Sequence, residues 1–346
     1  MYINLMTEHN KNIYMSYWLL LITLLVALII VVGGLTRLTD SGLSITEWQL
    51  FSGLLPPLND AAWQNYFTLY KEIPEFKLQN YSMTMNEFKI IFWWEWAHRF
   101  LGRLIGICFL LPLVYFTTKL GFKNLKNLYL IFLLICFQGF IGWYMVSSGL
   151  VDRVDVSHYR LASHLLIAFF ILTLILWNYL KLRKINLSHQ KLKFNLPLTF
   201  LTLIFLQITV GAFVSGMDAG TIYNTWPLMG NSFFPDDNNI SNILSLDAFN
   251  DPSLVQFFHR NLAYIILIYY FFLTYKVYKN NLIRLFPLIK TIGFFLLIQI
   301  FLGIFTLLYG AQIFLASMHQ ISSIFLVSST IYLFYINSFT NPQLSN

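Results

Sequence analysis

The chain has 346 residues, of which 57% are hydrophobic and only 11% are charged, and its mean hydropathy is +0.63. About a quarter of the residues of a soluble globular domain are charged, so the composition excludes that class and indicates a polytopic membrane protein. Nothing in the distribution of the net charge of +7 suggests nucleic-acid binding, and the two cysteines form no disulfide framework or metal motif.

Eight apolar runs are long enough to cross a bilayer, which takes about 20 residues. The first run has no small-residue cleavage site after it, so we interpret it as a retained span and not as a signal peptide. The predicted fold class is therefore an all-α integral membrane protein with eight transmembrane helices. The predicted spans are 16–36, 93–118, 126–147, 160–180, 196–216, 256–278, 285–308 and 312–336.

The basic residues predict the orientation of these spans, because cytoplasmic loops collect Lys and Arg. One side takes 13 of the 22 basic residues and a single acid, Glu8, whereas the other side takes the remaining 9 and the other 14 acids. We therefore predict that both termini are cytoplasmic and that segments 37–92 and 217–255 lie outside. The cytoplasmic basic residues are Lys11, Lys119, Lys123, Lys126, Lys181, Arg183, Lys184, Lys191, Lys193, Lys276, Lys279, Arg284 and Lys290.

The chain contains an internal repeat, in which residue types recur at fixed offsets. An even number of spans in each half makes this a parallel repeat, with two tandem four-helix bundles related by a pseudo-two-fold axis along the membrane normal. We place the halves at 1–185 and 186–346. Gly33, Asp40, Gly42 and Trp48 recur 178 positions later as Gly211, Asp218, Gly220 and Trp226; His98, Arg99, Gln138 and Gly142 recur 161 later as His259, Arg260, Gln299 and Gly303; His164 recurs 155 later as His319.

Four histidines, His98, His164, His259 and His319, lie one to two turns inside the outer end of the even-numbered spans. A single intramembrane histidine is most simply explained by an interhelical hydrogen bond, but four at matched depth indicate a shared function. Two imidazoles from facing helices of a bundle can be the axial ligands of a heme, whereas zinc normally needs three or four clustered ligands. We predict bis-histidine heme sites in both halves, pairing His98 with His164 and His259 with His319.

The other three histidines lie outside the predicted spans. His158 lies in the outer loop before the fourth span and is a lesser candidate for a role. His9 and His189 lie in polar cytoplasmic segments.

Arginines accompany the predicted sites. Arg99 and Arg260 directly follow their histidines, and Arg160 precedes His164 by four residues. Arginine binds carboxylates such as heme propionates through paired hydrogen bonds. The alternative is an arginine at a helix end that extends to lipid headgroups.

The two halves differ in their acid. Glu95 and Arg103 of the first half correspond to Gln256 and Tyr264 of the second. Glu95 shares a helix face with His98 and could move protons or stabilise a developing cation; alternatively it forms only a salt bridge with a residue four positions on. An acid present in one repeat alone predicts that the chemistry lies in the first half.

Five stretches together resemble the heme A synthase family: GGLTRLTDSGLSITEW at 33–48, E-x-x-H-R-x-x-G-R at 95–103, RLASH at 160–164, FFHRNLAY at 257–264 and SMHQ at 317–320. The likeness runs from about residue 16 to 336. Some members carry a cysteine pair in an outer loop. This chain has none, so it resembles the mitochondrial and alphaproteobacterial subtype, without a thiol pair for electron delivery.

The resemblance implies oxidation of the C8 methyl group of heme O to a formyl group by successive hydroxylations, giving heme A for cytochrome oxidase. It implies heme b as cofactor in the C-terminal half, at His259 and His319, and substrate heme in the N-terminal half, at His98 and His164. It also implies heme O synthase and cytochrome oxidase assembly factors as partners, an unidentified electron acceptor, and a place in the inner membrane with heme sites towards the periplasm. The sequence leaves homo-oligomerisation open.

Two other classes remain as alternatives. A di-heme b-type electron-transfer cytochrome usually stacks its hemes at two depths, whereas the four histidines here share one level. A heme transporter or assembly chaperone would have broken spans or charges near the midplane, whereas the ionisable groups here cluster at one rim.

The charge asymmetry predicts the result of reporter fusions. A fusion at Lys184 should report the cytoplasm and a fusion at Asp237 the outer compartment, because the basic residues concentrate on the side of Lys184. The same compartment at both positions would contradict the eight-span topology.

Overall fold

A computed structural model of the chain describes residues 2–48, 52–151, 153–183, 191–193 and 195–338. Within these ranges the regular structure is helical, with short 3-10 turns between several helices and one isolated bridge between Met229 and Ser232. The α-helices are α1 (Tyr2–Leu38), α2 (Asp60–Tyr70), α3 (Pro74–Leu78), α4 (Met85–Leu120), α5 (Lys126–Gly149), α6 (His158–Leu182), α7 (Asn195–Gly216), α8 (Pro252–Lys279), α9 (Phe286–Leu308) and α10 (Ile313–Ser338).

All of these helices except α2 and α3 are long and apolar enough to cross a membrane. The chain is therefore an all-α integral membrane protein, as predicted. The first six predicted spans lie inside their helices, and the last two begin one residue before α9 and α10. Lys184 and His189, placed on the cytoplasmic side from the sequence, lie outside the described residues, and the side chains of Glu8 and His9 are also not described.

Helix α4 begins eight residues before the predicted span because a capping box starts it at Thr84. The side chain of Thr84 accepts a hydrogen bond from the backbone N–H of Glu87 at 3.4 Å, and the Glu87 carboxylate accepts one from the Thr84 N–H at 2.7 Å. This pattern of Thr followed three residues later by Glu is a known start signal. The added turns extend α4 by about 12 Å, at about 1.5 Å per residue.

The short helix α2 packs on this added part of α4 through an outer aromatic cluster, consisting of Trp63, Phe67, Tyr70, Phe88 and Phe92. Helix α3 joins it through Phe76, whose ring contacts those of Phe67 and Tyr70. The ring centres of Trp63 and Phe92 are 4.9 Å apart, and those of Phe67 and Phe88 are 5.0 Å apart. Tyr70 and Phe88 are completely buried. Burial of aromatic area of this size is a large stabilising contribution, so the cluster fixes the outer segment to the helix that carries His98.

The described chain divides into two compact units, each of which contains one histidine pair. The unit formed by Leu25–Ile171 with Ser215–Met217 contains His98 and His164. The other unit contains His259 and His319. The division of the chain at 185 and 186 stays a prediction from the repeat.

Each of the four histidines packs its ring against a glycine of another helix. A Cβ atom on any of these glycines would come within about 3 Å of the imidazole, closer than side chains pack. The four glycines are repeat-related residues, and this close contact explains why glycine recurs at these positions. The added Cβ would lie 2.9 Å from His98 Nε2 at Gly33, 2.9 Å from His164 Cε1 at Gly142, 3.0 Å from His259 Cε1 at Gly211, and 3.0 Å from His319 Cε1 at Gly303.

Another repeated pair, Asp40 and Asp218, shares a backbone conformation. Both residues follow a transmembrane helix and have left-handed φ angles, 48° and 49°. Aspartate is one of the few residues other than glycine that adopts this region readily, because its short side chain can hydrogen-bond locally. The repeat thus preserves the way in which the chain leaves α1 and α7.

Substituting Gly142 by Ala tests the packing of glycine against histidine. The new Cβ would lie 2.9 Å from His164 Cε1, so the ring must move, and we expect a loss of stability of roughly 1–3 kcal/mol. Gly139, on the same helix, has no atom within 4 Å of the corresponding position, so Gly139→Ala is the matched control. Thermal unfolding of the purified proteins should separate the two variants; equal melting temperatures would contradict the contact.

Candidate functional site

The structure brings the histidines together in the pairs predicted from the sequence. His98 on α4 and His164 on α6 have ring centres 6.3 Å apart with their planes at 77°. His259 on α8 and His319 on α10 have ring centres 6.4 Å apart with their planes at 72°. The two halves therefore contain two copies of almost the same arrangement.

This spacing fits a metal ion held between two imidazoles. A bond between an imidazole nitrogen and a metal is about 2.0–2.1 Å long and the nitrogen lies about 1.1 Å from the ring centre, so two axial imidazoles place their centres about 6.3 Å apart. Among the described residues, no group of three or more His, Cys, Asp or Glu side chains could hold a metal. The donor set thus fits a metal that needs only two protein ligands, such as heme iron.

Two ring nitrogens without hydrogen-bond partners also fit the binding of a metal ion. The Nδ1 atoms of His164 and His319 are buried and have no hydrogen-bond partner among the described residues. A buried polar atom without a partner is costly. Coordination of a metal would satisfy one nitrogen in each pair.

Glu95 lies next to the first pair and is completely engaged in hydrogen bonds. Its Oε2 accepts from the Ser44 hydroxyl and from the Ile45 N–H, both at 2.7 Å. Its Oε1 accepts from Arg99 Nε at 3.0 Å and from Arg99 Nη2 at 2.7 Å. The salt bridge considered from the sequence is therefore present, and the carboxylate in addition holds the loop 41–48.

Arg99 also binds the loop 41–48. Its guanidinium donates to the carbonyl oxygens of Ile45 at 2.7 Å and of Glu47 at 3.0 Å, and it lies 5.4 Å from the ring centre of Trp48. We call Glu95 and Arg99, with their bonds to the loop 41–48, the first clamp. A heme propionate at Arg99 would have to share these donors.

The second half has a clamp of the same design but without the acid. Gln256 donates to the carbonyl oxygens of Ala219 at 2.8 Å and Tyr223 at 3.2 Å. Arg260 donates to Gln256 Oε1 at 3.1 Å and to three loop carbonyl oxygens, those of Tyr223, Thr225 and Leu228, at 2.9–3.2 Å. The first clamp thus accepts backbone and hydroxyl donors through a charge, whereas this second clamp donates to backbone carbonyls through a neutral amide.

The other sequence candidates have partners of their own. Arg103 donates to the Gly53 carbonyl at 3.1 Å, whereas its counterpart Tyr264 accepts from Trp226 Nε1 at 3.1 Å. Arg160 donates to the Ser148 hydroxyl and lies 4.9 Å from the ring centre of Tyr144. His158 packs against Gly216, where an added Cβ would meet it at 2.8 Å, so its observed contact is between helices.

A second buried acid, Glu75, was not singled out from the sequence. It is 2% exposed beneath the outer aromatic cluster, and it accepts hydrogen bonds from the Tyr70 hydroxyl at 2.9 Å and from Asn80 at 3.3 Å. Burial raises the pKa of Glu75 to about 8, so the carboxyl group is mostly protonated near neutral pH. The outer segment therefore contains a neutral acid, whereas Glu95 accepts four hydrogen bonds from Ser44, Ile45 and Arg99.

Sequence reasoning also missed the residues around the second histidine pair. The side-chain nitrogen of Gln207 lies 3.2 Å from each ring nitrogen of His259 and donates to its carbonyl oxygen at 3.0 Å. The side-chain nitrogen of Gln299 lies 3.2 Å from His319 Nε2, and the Ser322 hydroxyl donates to Gln299 Oε1. The repeat identified Gln299, but only a packed structure could give its partner.

Comparison with known proteins gives a consistent answer. The model of the COX15-CtaA family, described as cytochrome oxidase assembly protein, matches residues 16–331. The chain is 49% identical to a heme A synthase of Pelagibacter ubique over 329 residues, which covers 94% of this chain and 97% of that protein. It is 43% identical to heme A synthases of Rickettsia bellii, covering 93% of this chain and 97% of the relative, and of Maricaulis maris, covering 92% and 94%.

The family match spans both histidine pairs and both clamps. The chain resembles the relatives over nearly the full length of each protein. The resemblance therefore includes both halves and is not limited to one motif. The chain belongs to the COX15-CtaA family of cytochrome oxidase assembly proteins.

Proposed function

We propose that this chain is a heme A synthase, a membrane oxidoreductase that converts the C8 methyl group of heme O to the formyl group of heme A by successive hydroxylations. The observation that carries the proposal is the duplicated histidine pair, with ring centres 6.3 and 6.4 Å apart, in a chain that resembles heme A synthases over nearly its full length. Heme A appearing in membranes supplied with heme O, only when this protein is active, would test it.

The two sites divide the work. His98 and His164 face the substrate heme, because this half contains the ionisable Glu95 and Arg103. His259 and His319 hold heme b, because a neutral Gln256 and Tyr264 occupy the matching positions. A heme b bound there would supply one-electron redox chemistry.

The residues of this chain supply binding, orientation and charge. Each imidazole would give one ring nitrogen to the iron of a bound heme and would be oriented through its surroundings. Glu95, held as a carboxylate by Ser44, Ile45 and Arg99, places a negative charge one helical turn from His98. That charge can stabilise a developing cation at the substrate rim.

We also propose where the protein lies in the cell. It lies in the inner membrane with cytoplasmic termini and with both heme sites towards the periplasmic side, following the distribution of basic residues. Heme O synthase and cytochrome oxidase assembly factors are its expected partners. A lipid-embedded helical protein suits a farnesylated substrate that is itself dissolved in the bilayer.

Replacing each histidine by Ala tests the division of labour. His259→Ala or His319→Ala should remove the bis-histidine b-type absorption from the isolated protein, with loss of activity as a consequence. His98→Ala or His164→Ala should leave that absorption largely intact, while heme A formation stops or stalls at a partly oxidised porphyrin. Reduced-minus-oxidised spectra and porphyrin chromatography would measure both. If the b-type signal were lost only in the variants of His98 and His164, the proposed roles of the two halves would have to be exchanged.

Glu95→Gln tests the role of the charge. The variant should fold and retain heme b, because Gln occupies the matching place in the other half, but conversion of heme O should fall roughly 100-fold or more, as for loss of a proton-transfer or charge-stabilising group. Glu72→Gln, at an exposed acid of the same outer segment, is the matched control. Near-normal conversion by Glu95→Gln would leave Glu95 with its structural role in the first clamp alone.

A further inference from the structure

The two histidine pairs differ in the residues that surround their rings. Two polar residues next to the second pair have apolar residues at the repeat-matched positions of the first half. Gln207 corresponds to Ile29 at the offset of 178, and Ser322 corresponds to Ile167 at the offset of 155. The repeat thus provides an internal comparison of one histidine arrangement in two surroundings.

Around the second pair, each ring has an amide partner. The Gln207 side-chain nitrogen lies 3.2 Å from both ring nitrogens of His259. The Gln299 side-chain nitrogen lies 3.2 Å from His319 Nε2, and Gln299 is itself held by the hydroxyl of Ser322. These contacts form a chain of hydrogen bonds from α10 through α9 and back to the His319 ring, which leaves its Nδ1 without a partner.

Around the first pair, this support is missing within the described residues. Gln138, the counterpart of Gln299, donates to the backbone carbonyl of His164 at 2.9 Å and not to a ring nitrogen. Ile29 and Ile167 have no polar atom with which to replace Gln207 and Ser322. The rings of His98 and His164 are therefore placed by packing against Gly33 and Gly142.

Hydrogen bonds to metal-binding histidines fix the ring orientation and tautomer, and losing one typically lowers metal affinity about 10–100-fold. A ring that is fixed before binding also loses less conformational freedom when the ligand binds. Two sites with the same histidine geometry can therefore differ widely in how long they retain a heme.

We propose that Gln207, Gln299 and Ser322 are positioning residues that make the second histidine pair a long-lived heme site, and that Ile29 and Ile167 keep the first pair exchangeable. A resident cofactor must stay through many turnovers, whereas substrate and product must leave. This inference rests on the proposed division of labour between the pairs, and it adds the residues that produce the difference in residence time.

The test is the rate at which heme leaves the purified protein. The protein loaded with heme b is mixed with excess apomyoglobin, which captures released heme, and the transfer is followed by absorption. Gln207→Leu and Ser322→Ala should each speed the loss of heme about 10–100-fold while the initial bis-histidine spectrum is retained. Ser322→Thr, which keeps the hydroxyl, should behave like the unchanged protein.

Ser329→Ala is the matched control, because Ser329 lies on the same helix and, among the residues that the structure describes, its hydroxyl donates only to the Leu326 carbonyl of that helix. It should leave the transfer rate unchanged. The reverse change, Ile29→Gln with Ile167→Ser, should slow the release of heme O from the first site when the protein is loaded with that porphyrin.

Unchanged transfer rates in Gln207→Leu and Ser322→Ala would overturn the inference, provided that His259→Ala still removes the b-type spectrum; the proposed division of labour would then stand. If instead His98→Ala removed that spectrum, the division of labour itself would fail. If Gln207→Leu or Ser322→Ala lost heme at the same rate as the control Ser329→Ala, the substituted residue, Gln207 or Ser322, would have no positioning role.

Discussion

The contact between an imidazole ring and a glycine of another helix is the constraint on which both sites depend. The four glycines let the helix backbones approach the rings closely enough that a methyl group would come within about 3 Å of them. Small residues at helix interfaces allow such close approach in membranes. Because ring and backbone are in contact, helix packing holds the paired rings at centre distances of 6.3–6.4 Å.

The clamps connect these rings to the outer loops. Glu95 and Gln256 occupy the same place, but one accepts from the loop and the other donates to it. The loop therefore presents the Ile45 N–H to Glu95 in the first half and carbonyl groups to Gln256 in the second, so the residue and the loop conformation are matched to each other. A Gln at position 95 could still accept from the Ile45 N–H through its oxygen, but its amide nitrogen would then face the guanidinium of Arg99, which is itself a donor.

Much of this arrangement could be predicted from the sequence. Apolar length gave the spans, and fixed offsets gave the repeat and the pairing of His98 with His164. Hydropathy predicts a span that starts at residue 93, whereas the Thr84 capping box marks a helix start eight residues earlier. Gln207 could not be assigned from its own half, because an amide in an apolar helix has many possible partners until the helices are packed. Comparing it with Ile29 would have marked the position, but not the ring that it contacts.

The extension of α4 has a consequence for how the outer segment behaves. One continuous helix runs from the outer aromatic cluster to His98 and on to Leu120, so there is no joint between the segment outside the membrane and the imidazole inside it. If α2 and α3 tilted the outer part of α4, the imidazole of His98 would move with it. The position of His98 is therefore tied to that of the outer segment through one continuous helix.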